Sequence, residues 1–161
     1  MNSVCKVKNF SLSFVQDKKE YAAVRDVNME IAPGEIVALI GESGCGKSVT
    51  ALSMIGLQPE NARVSGSIRF GDEELLTLND REWSFYRGDR ISMIFQEPMT
   101  ALNPLIKVGK QIQENVLLHQ KVTGEAAVKQ VLEVLKQVGL PDVERIYQSY
   151  PHQLSGEVGG Q

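Results

Sequence analysis

Eight residues, Gly41-Glu42-Ser43-Gly44-Cys45-Gly46-Lys47-Ser48, constrain this chain more than any other stretch. They follow the wholly apolar run Ile36-Val37-Ala38-Leu39-Ile40 and lead into residues 49–55, whose composition suits a helix. Strand, glycine-rich loop and helix in that order form the context of a Walker A phosphate loop. The glycines let successive backbone N–H groups turn inward around phosphate oxygens. Lys47 can then lie along the β and γ phosphates, and the Ser48 hydroxyl can ligate Mg2+. The candidate nucleotide-binding set is therefore Gly41, Ser43, Gly44, Cys45, Gly46, Lys47, Ser48 and Val49. The pattern identifies neither the base nor a hydrolytic step.

A fully apolar run such as 36–40 is best buried in a sheet covered on both faces, as in an α/β phosphate-binding core. The 161 residues have room for one domain, divided at most into a larger lobe and a small satellite. With a net charge of −3 and no basic arm or long cationic stripe, nothing points to a nucleic-acid partner, so any anion site must be local. Cys5 and Cys45 are too few and too far apart in sequence to argue a disulfide framework, which fits a reduced, cytoplasmic setting. No run approaches the roughly 20 apolar residues of a bilayer span, and the N-terminus lacks the apolar stretch of a signal peptide.

In chain order, residues 4–14 predict an edge or surface strand, with Phe10, Leu12 and Phe14 alternating with Ser11 and Ser13. A turn at 16–20 and a second strand over 23–31 follow, and Pro33-Gly34 turns the chain toward the 36–40 strand. The phosphate-loop helix should run to about Ile55 and stop near Gly56. Residues 63–70 predict a further strand closed by a Gly71-Asp72 turn. Residues 79–82 can start a short helix that Trp83, Phe85 and Tyr86 anchor by packing, and 91–95 predicts a core strand ending at Gln96. Helices are expected over 105–120 and 124–139, the second with Thr123 as N-cap and Val128, Val131, Leu132, Leu135 and Val138 on one face. Periodicity leaves open whether they form a small lobe or simply continue the α/β domain. Neither His119 nor His152 has a Cys, Asp or Glu partner at metal-ligand spacing, so both are assigned ordinary structural roles.

Three phrases in order, GESGCGKS at 41–48, IFQEPMTALNP at 94–104 and SYPHQLSG at 149–156, make the whole chain resemble the ATP-binding subunits of ABC transporters, most closely the dipeptide/oligopeptide/nickel importer group. The resemblance implies a P-loop NTPase, RecA-like α/β core with an antiparallel β region over 1–104. It further implies a partial helical subdomain over 105–161 that meets a permease. It makes Gln96 the Q-loop glutamine, holding Mg2+ or the attacking water, and Tyr21 the aromatic that stacks on adenine. The implied cofactors are ATP and Mg2+. The implied partners are transmembrane permease subunits, a second ATPase subunit in a possible homodimer and, indirectly, a substrate-binding protein. The implied location is the cytoplasmic side of the inner (plasma) membrane, held there by the permease.

The signature stretch departs from the family pattern. Leu154-Ser155-Gly156 is followed by Glu157 where the family has a second glycine, so Ser155 and Gly156 are read as a signature remnant, with a carboxylate placed where phosphate should approach. His152 precedes this stretch and is not the family's switch histidine. No apolar strand ending in an acidic pair follows residue 156. The expectation is an ATP-binding half-site without efficient hydrolysis of its own, truncated before the later core strands and so left with unpaired backbone and exposed apolar surface. A fragment, an altered reading frame or a deliberately shortened chain would each account for this. Two functions follow: the ATP-binding component that energises import of peptides, or of nickel, and a nonenzymatic nucleotide-binding interaction or regulatory module.

Overall fold

The structure is a computed structural model and describes residues 3–96 and 101–154. The chain divides into two compact units, residues 1–92 and 93–161.

The first unit is built on β1 (Cys5–Gln16), β2 (Lys19–Ile31), β3 (Ala62–Phe70) and the short β4 (Glu73–Glu74), in the antiparallel order β2-β1-β3-β4, so β1 is not the expected edge strand but is paired on both sides. Asp17 and Lys18, both with positive φ, close the β1–β2 hairpin, the geometry that matches the right-handed twist of paired strands. Alternation in β1 sends Phe10 and Leu12 into the core, where they are fully buried with Ile68 and Leu75. A bulge interrupts β1 near Asn9, facing Gly66 at φ 95°. A Cβ at Gly66 would lie 2.4 Å from the Asn9 carbonyl oxygen, so only glycine permits this close approach.

Helix α1 (Lys47–Ser53) leaves the phosphate loop and unwinds to Gly56, as its sequence predicts. Gly56 lies against the Trp83 ring, leaving no room for a Cβ. Asn79 and Glu82 form a reciprocal capping box at the start of α2 (Asp80–Trp83). Trp83 at its end is buried, and the Arg87 guanidinium lies 4.9 Å from its ring centre while donating to the carbonyls of Ile55 and Gly56. Tyr86 packs edge-on to Trp83, but Phe85 is exposed, so the expected aromatic anchor reduces to Trp83 and Tyr86.

The second unit contains α3 (Val108–His119), α4 (Gly124–Gln137) and α5 (Val143–Gln148). The Thr123 hydroxyl caps α4 by accepting from the Ala126 amide. Val131 and Leu135 are buried with Ile146 and Tyr147, and Val128 and Leu132 pack around them, while Val138, expected on the same face, is exposed. The Tyr147 hydroxyl donates to Gln113 Oε1 at 2.7 Å, and Gly109 of α3 lets that ring sit against the helix backbone. Among the described residues no helix is long and apolar enough to cross a membrane.

Two expected core strands do not form. Residues 36–40 have no strand pairing, with Ile36 97% and Ile40 91% exposed. Residues 91–95 make one isolated bridge, Arg87 to Ile91, and Ile94 is 93% exposed. The described strands pair only with one another, in a single antiparallel sheet. A wholly apolar segment such as 36–40 gains strand stability only with hydrogen-bonded neighbours and cover on both faces, which it lacks among the described residues, and 91–95 has no pairing beyond Ile91.

Candidate phosphate-binding site

Residues 41–48 curl around one side chain. Lys47 Nζ donates to the carbonyl oxygens of Gly41 and Glu42, each at 2.7 Å, and lies 3.6 Å from Cys45 Sγ. Gly44 and Gly46 take φ of 80° and 95°, the left-handed conformation that glycine adopts without strain. Space reinforces that requirement at Gly46, where a Cβ would lie 2.7 Å from Val24 Cγ2 and 3.0 Å from the Ala23 carbonyl oxygen. β2 thus backs the loop. The Thr50 amide and hydroxyl both donate to the Gly46 carbonyl, which fixes the exit into α1.

Gly44, Gly46, Lys47, Ser48 and Val49 line a cavity of about 230 Å³, and its remaining wall is Phe14 and Ala23 from the hairpin. The loop therefore offers a concave cradle with a cation at its centre, the exposed Ser48 hydroxyl at its edge and an aromatic ring opposite. Backbone amides in such a turn, and the first amides of α1 with no acceptor inside the helix, are suited to phosphate oxygens. The residues present fit a phosphate chain, with Lys47 as counter-charge and Ser48 as an oxygen donor for the accompanying magnesium ion.

Of the residues singled out from sequence, Gly44, Gly46, Lys47, Ser48 and Val49 meet at this cavity, while Gly41 and Cys45 shape the loop behind it. Ser43 is exposed on the same loop. Tyr21, 54% exposed on β2, is the cross-strand partner of Phe14, and it is Phe14 that lines the cavity. Sequence reasoning missed Phe14 because it reads there as the last inward residue of an alternating row. Only the hairpin register shows that the row ends beside the phosphate loop. Gln96 is exposed at the beginning of the second unit. Ser155, Gly156 and Glu157 lie outside the described residues. His152 stacks on Tyr150 with ring centres 5.7 Å apart.

Loop, hairpin and α1 define a P-loop protein carrying an antiparallel β region. A family model described as ABC transporter matches residues 24–159, and the chain belongs to that family. It is 47% identical over 158 residues to the dipeptide transport ATP-binding protein DppD of Bacillus subtilis (strain 168), covering 97% of this chain and 47% of that protein. It is 44% identical over 155 residues to the protein of the same name from Lactococcus lactis subsp. cremoris (strain MG1363), covering 95% of this chain and 44% of the relative. The chain thus spans less than half the length of these two curated relatives. Among solved structures, the ATP-binding cassette MJ0796, a dimer in a post-hydrolysis state bound to ADP and Pi, superposes with a TM-score of 0.79 at 28% identity, over 94% of this chain and 63% of that one. The path of residues 36–40 thus belongs to a chain that follows the cassette fold even though the segment has no strand partner here.

Proposed function

We propose that this chain is the nucleotide-binding part of an ATP-driven importer of peptides, with MgATP held at residues 41–49. The observation that carries the reading is the cradle itself: Lys47 lies inside a loop of left-handed glycines, and a cavity opens between that loop and Phe14. Bound ATP would supply the phosphate-bond energy that transport uses. This chain's contribution is to cradle the phosphates with loop amides and Lys47, to offer the Ser48 hydroxyl to Mg2+, and to face the base with Phe14, flanked by Tyr21. Gln96 takes the role of linking nucleotide state to the helical unit. Likeness to dipeptide transport proteins supports peptides over nickel as cargo. Transmembrane permease subunits and a second ATPase subunit are the proposed partners, the latter supported by the dimeric cassette with which the chain superposes. Attachment to the cytoplasmic face of the membrane would come through the permease.

Calorimetric titration of MgATP into wild type and Lys47→Ala tests the site. Removing a charge-assisted contact to phosphate should weaken binding by about 10- to 100-fold. Equal affinity in the two proteins would sink the phosphate-loop role.

A second reading, a nucleotide-binding interaction module without turnover, is favoured by one observation: the bare apolar run 36–40, which a partner's strand could pair. Phosphate release that is sustained in wild type and abolished by Lys47→Ala would overturn it.

A further inference from the structure

The outer face of the antiparallel sheet, opposite the face that covers the core, carries a second concavity, of about 250 Å³. Its origin is legible in the register. Ser11 and Ser13 alternate with buried Leu12 on β1, and their cross-strand partners on β3 are Ser65 and Arg63, while Ala22 of β2 faces Ser13. Residues on opposite strands at the same register share a face, so four small side chains form a floor. Three long ones, Glu20, Arg25 and Arg63, stand around it. A small floor inside a long rim makes a groove on a sheet that would otherwise be flat.

The rim is not neutral. Glu20 accepts from the Ser13 hydroxyl and lies 3.8 Å from Arg63, a loose pair in which both side chains are more than half exposed. Arg25 has no ion-pair or hydrogen-bond partner among the described residues, which leaves the rim with an excess positive charge in a chain whose net charge is −3. The Ser11 hydroxyl accepts from the Asp26 amide, so its own hydrogen remains to be donated. Two guanidinium forks above hydroxyl donors are the arrangement that receives an oxyanion.

We propose that this groove is an oxyanion site, in which Arg25 and Arg63 grip one phosphate or carboxylate group over Ser11 and Ser65, beside the hydrogen bond from Ser13 to Glu20. It is independent of the nucleotide reading, since these residues lie on the sheet and none lines the phosphate-loop cavity. The test is a titration of the 15N-labelled chain with inorganic phosphate, and in a second arm with glutamate, at constant ionic strength. It uses the Lys47→Ala background, so that the phosphate loop contributes little. The amides of Ser13, Ala22 and Ser65 should shift saturably. Arg25→Gln should weaken the response about tenfold, and Arg25→Gln combined with Arg63→Gln should abolish it. Saturation by both anions assigns shared oxyanion chemistry, and saturation by phosphate alone narrows the ligand to a phosphoryl group. The proposal is overturned if the shifts fail to saturate, or if they persist unchanged in the double variant while its spectrum stays dispersed.

Discussion

Strand β1 and the run 36–40 belong to the same unit and hold six and five apolar residues respectively, yet they behave in opposite ways. Phe10 in β1 is fully buried, whereas Ile36 is 97% exposed. The difference lies in what each needs from elsewhere. β1 alternates apolar and polar residues, pairs with β2 through a two-residue turn and with β3 on its other edge, and needs cover on one face only. The 36–40 run is apolar throughout, so its backbone needs neighbours on both edges and its side chains need cover on both faces. Hydrophobicity draws a segment inward only where something is present to pack against: the β1–β2 hairpin closes locally, and β3 then supplies the second edge and the core partner Ile68.

The contrast can be broken most directly by truncation mutants. Phe10→Ala should cost about 3–5 kcal/mol, because the ring sits in a fully packed core. Ile40→Ala, at a residue 91% exposed, should change stability by no more than about 0.5 kcal/mol. Urea denaturation of the whole chain measures both. A cost at Ile40 comparable to that at Phe10 would show that the run is buried in solution and would erase the distinction.

The helical unit offers a smaller test of the same principle, that a locally closed region stands on its own contacts. A Cβ at Gly109 would come within 2.2 Å of the Tyr147 ring, so Gly109→Ala should destabilise this unit by about 1–3 kcal/mol. Tyr147→Phe should cost about 0.5–1.5 kcal/mol, since it removes the 2.7 Å hydrogen bond while Lys110 Nζ still donates to the Gln113 oxygen at 3.1 Å. Amide hydrogen exchange in α3 and α5 reads both. Faster exchange spreading equally to β1 would mean that the two units do not open separately.

Elements that close locally were the ones legible in the sequence. The helix start at 79–82, the Thr123 cap and the stop at Gly56 rest on short-range chemistry, and the structure contains all three. The phosphate loop was legible for the same reason: its glycines and Lys47 act within eight residues. The strands expected at 36–40 and 91–95 do not form, because apolar composition reports an appetite for burial and says nothing about the partner that must satisfy it. The role of Phe14 in the cavity wall was hidden because it depends on cross-strand register. The bulge at Asn9 and Gly66 was hidden too, since a glycine inside a strand marks the place but not the opposing residue.

The smallest expected effect concerns the polar edge of the same sheet. Asp26 accepts from the Asn9 and Asn28 amides, and these hydrogen bonds, Asn9 first, hold its carboxyl below the ordinary aspartate value. Glu30, hydrogen-bonded and paired with Lys6 at 3.0 Å, is lowered likewise. In both cases the folded chain binds protons less readily than the unfolded chain. Stability from these groups is therefore present above their unfolded values and is lost as pH falls through the lower folded ones. Urea midpoints followed from about pH 6 down to about pH 2 should fall with acid, and more steeply in wild type than in Asp26→Asn. The contribution is small because both carboxylates face solvent. Since Asn9 reaches Asp26 only when the β1 bulge and β2 are in register, identical acid profiles for the two proteins would place the sheet's polar edge, like the 36–40 run, among the parts that do not close locally.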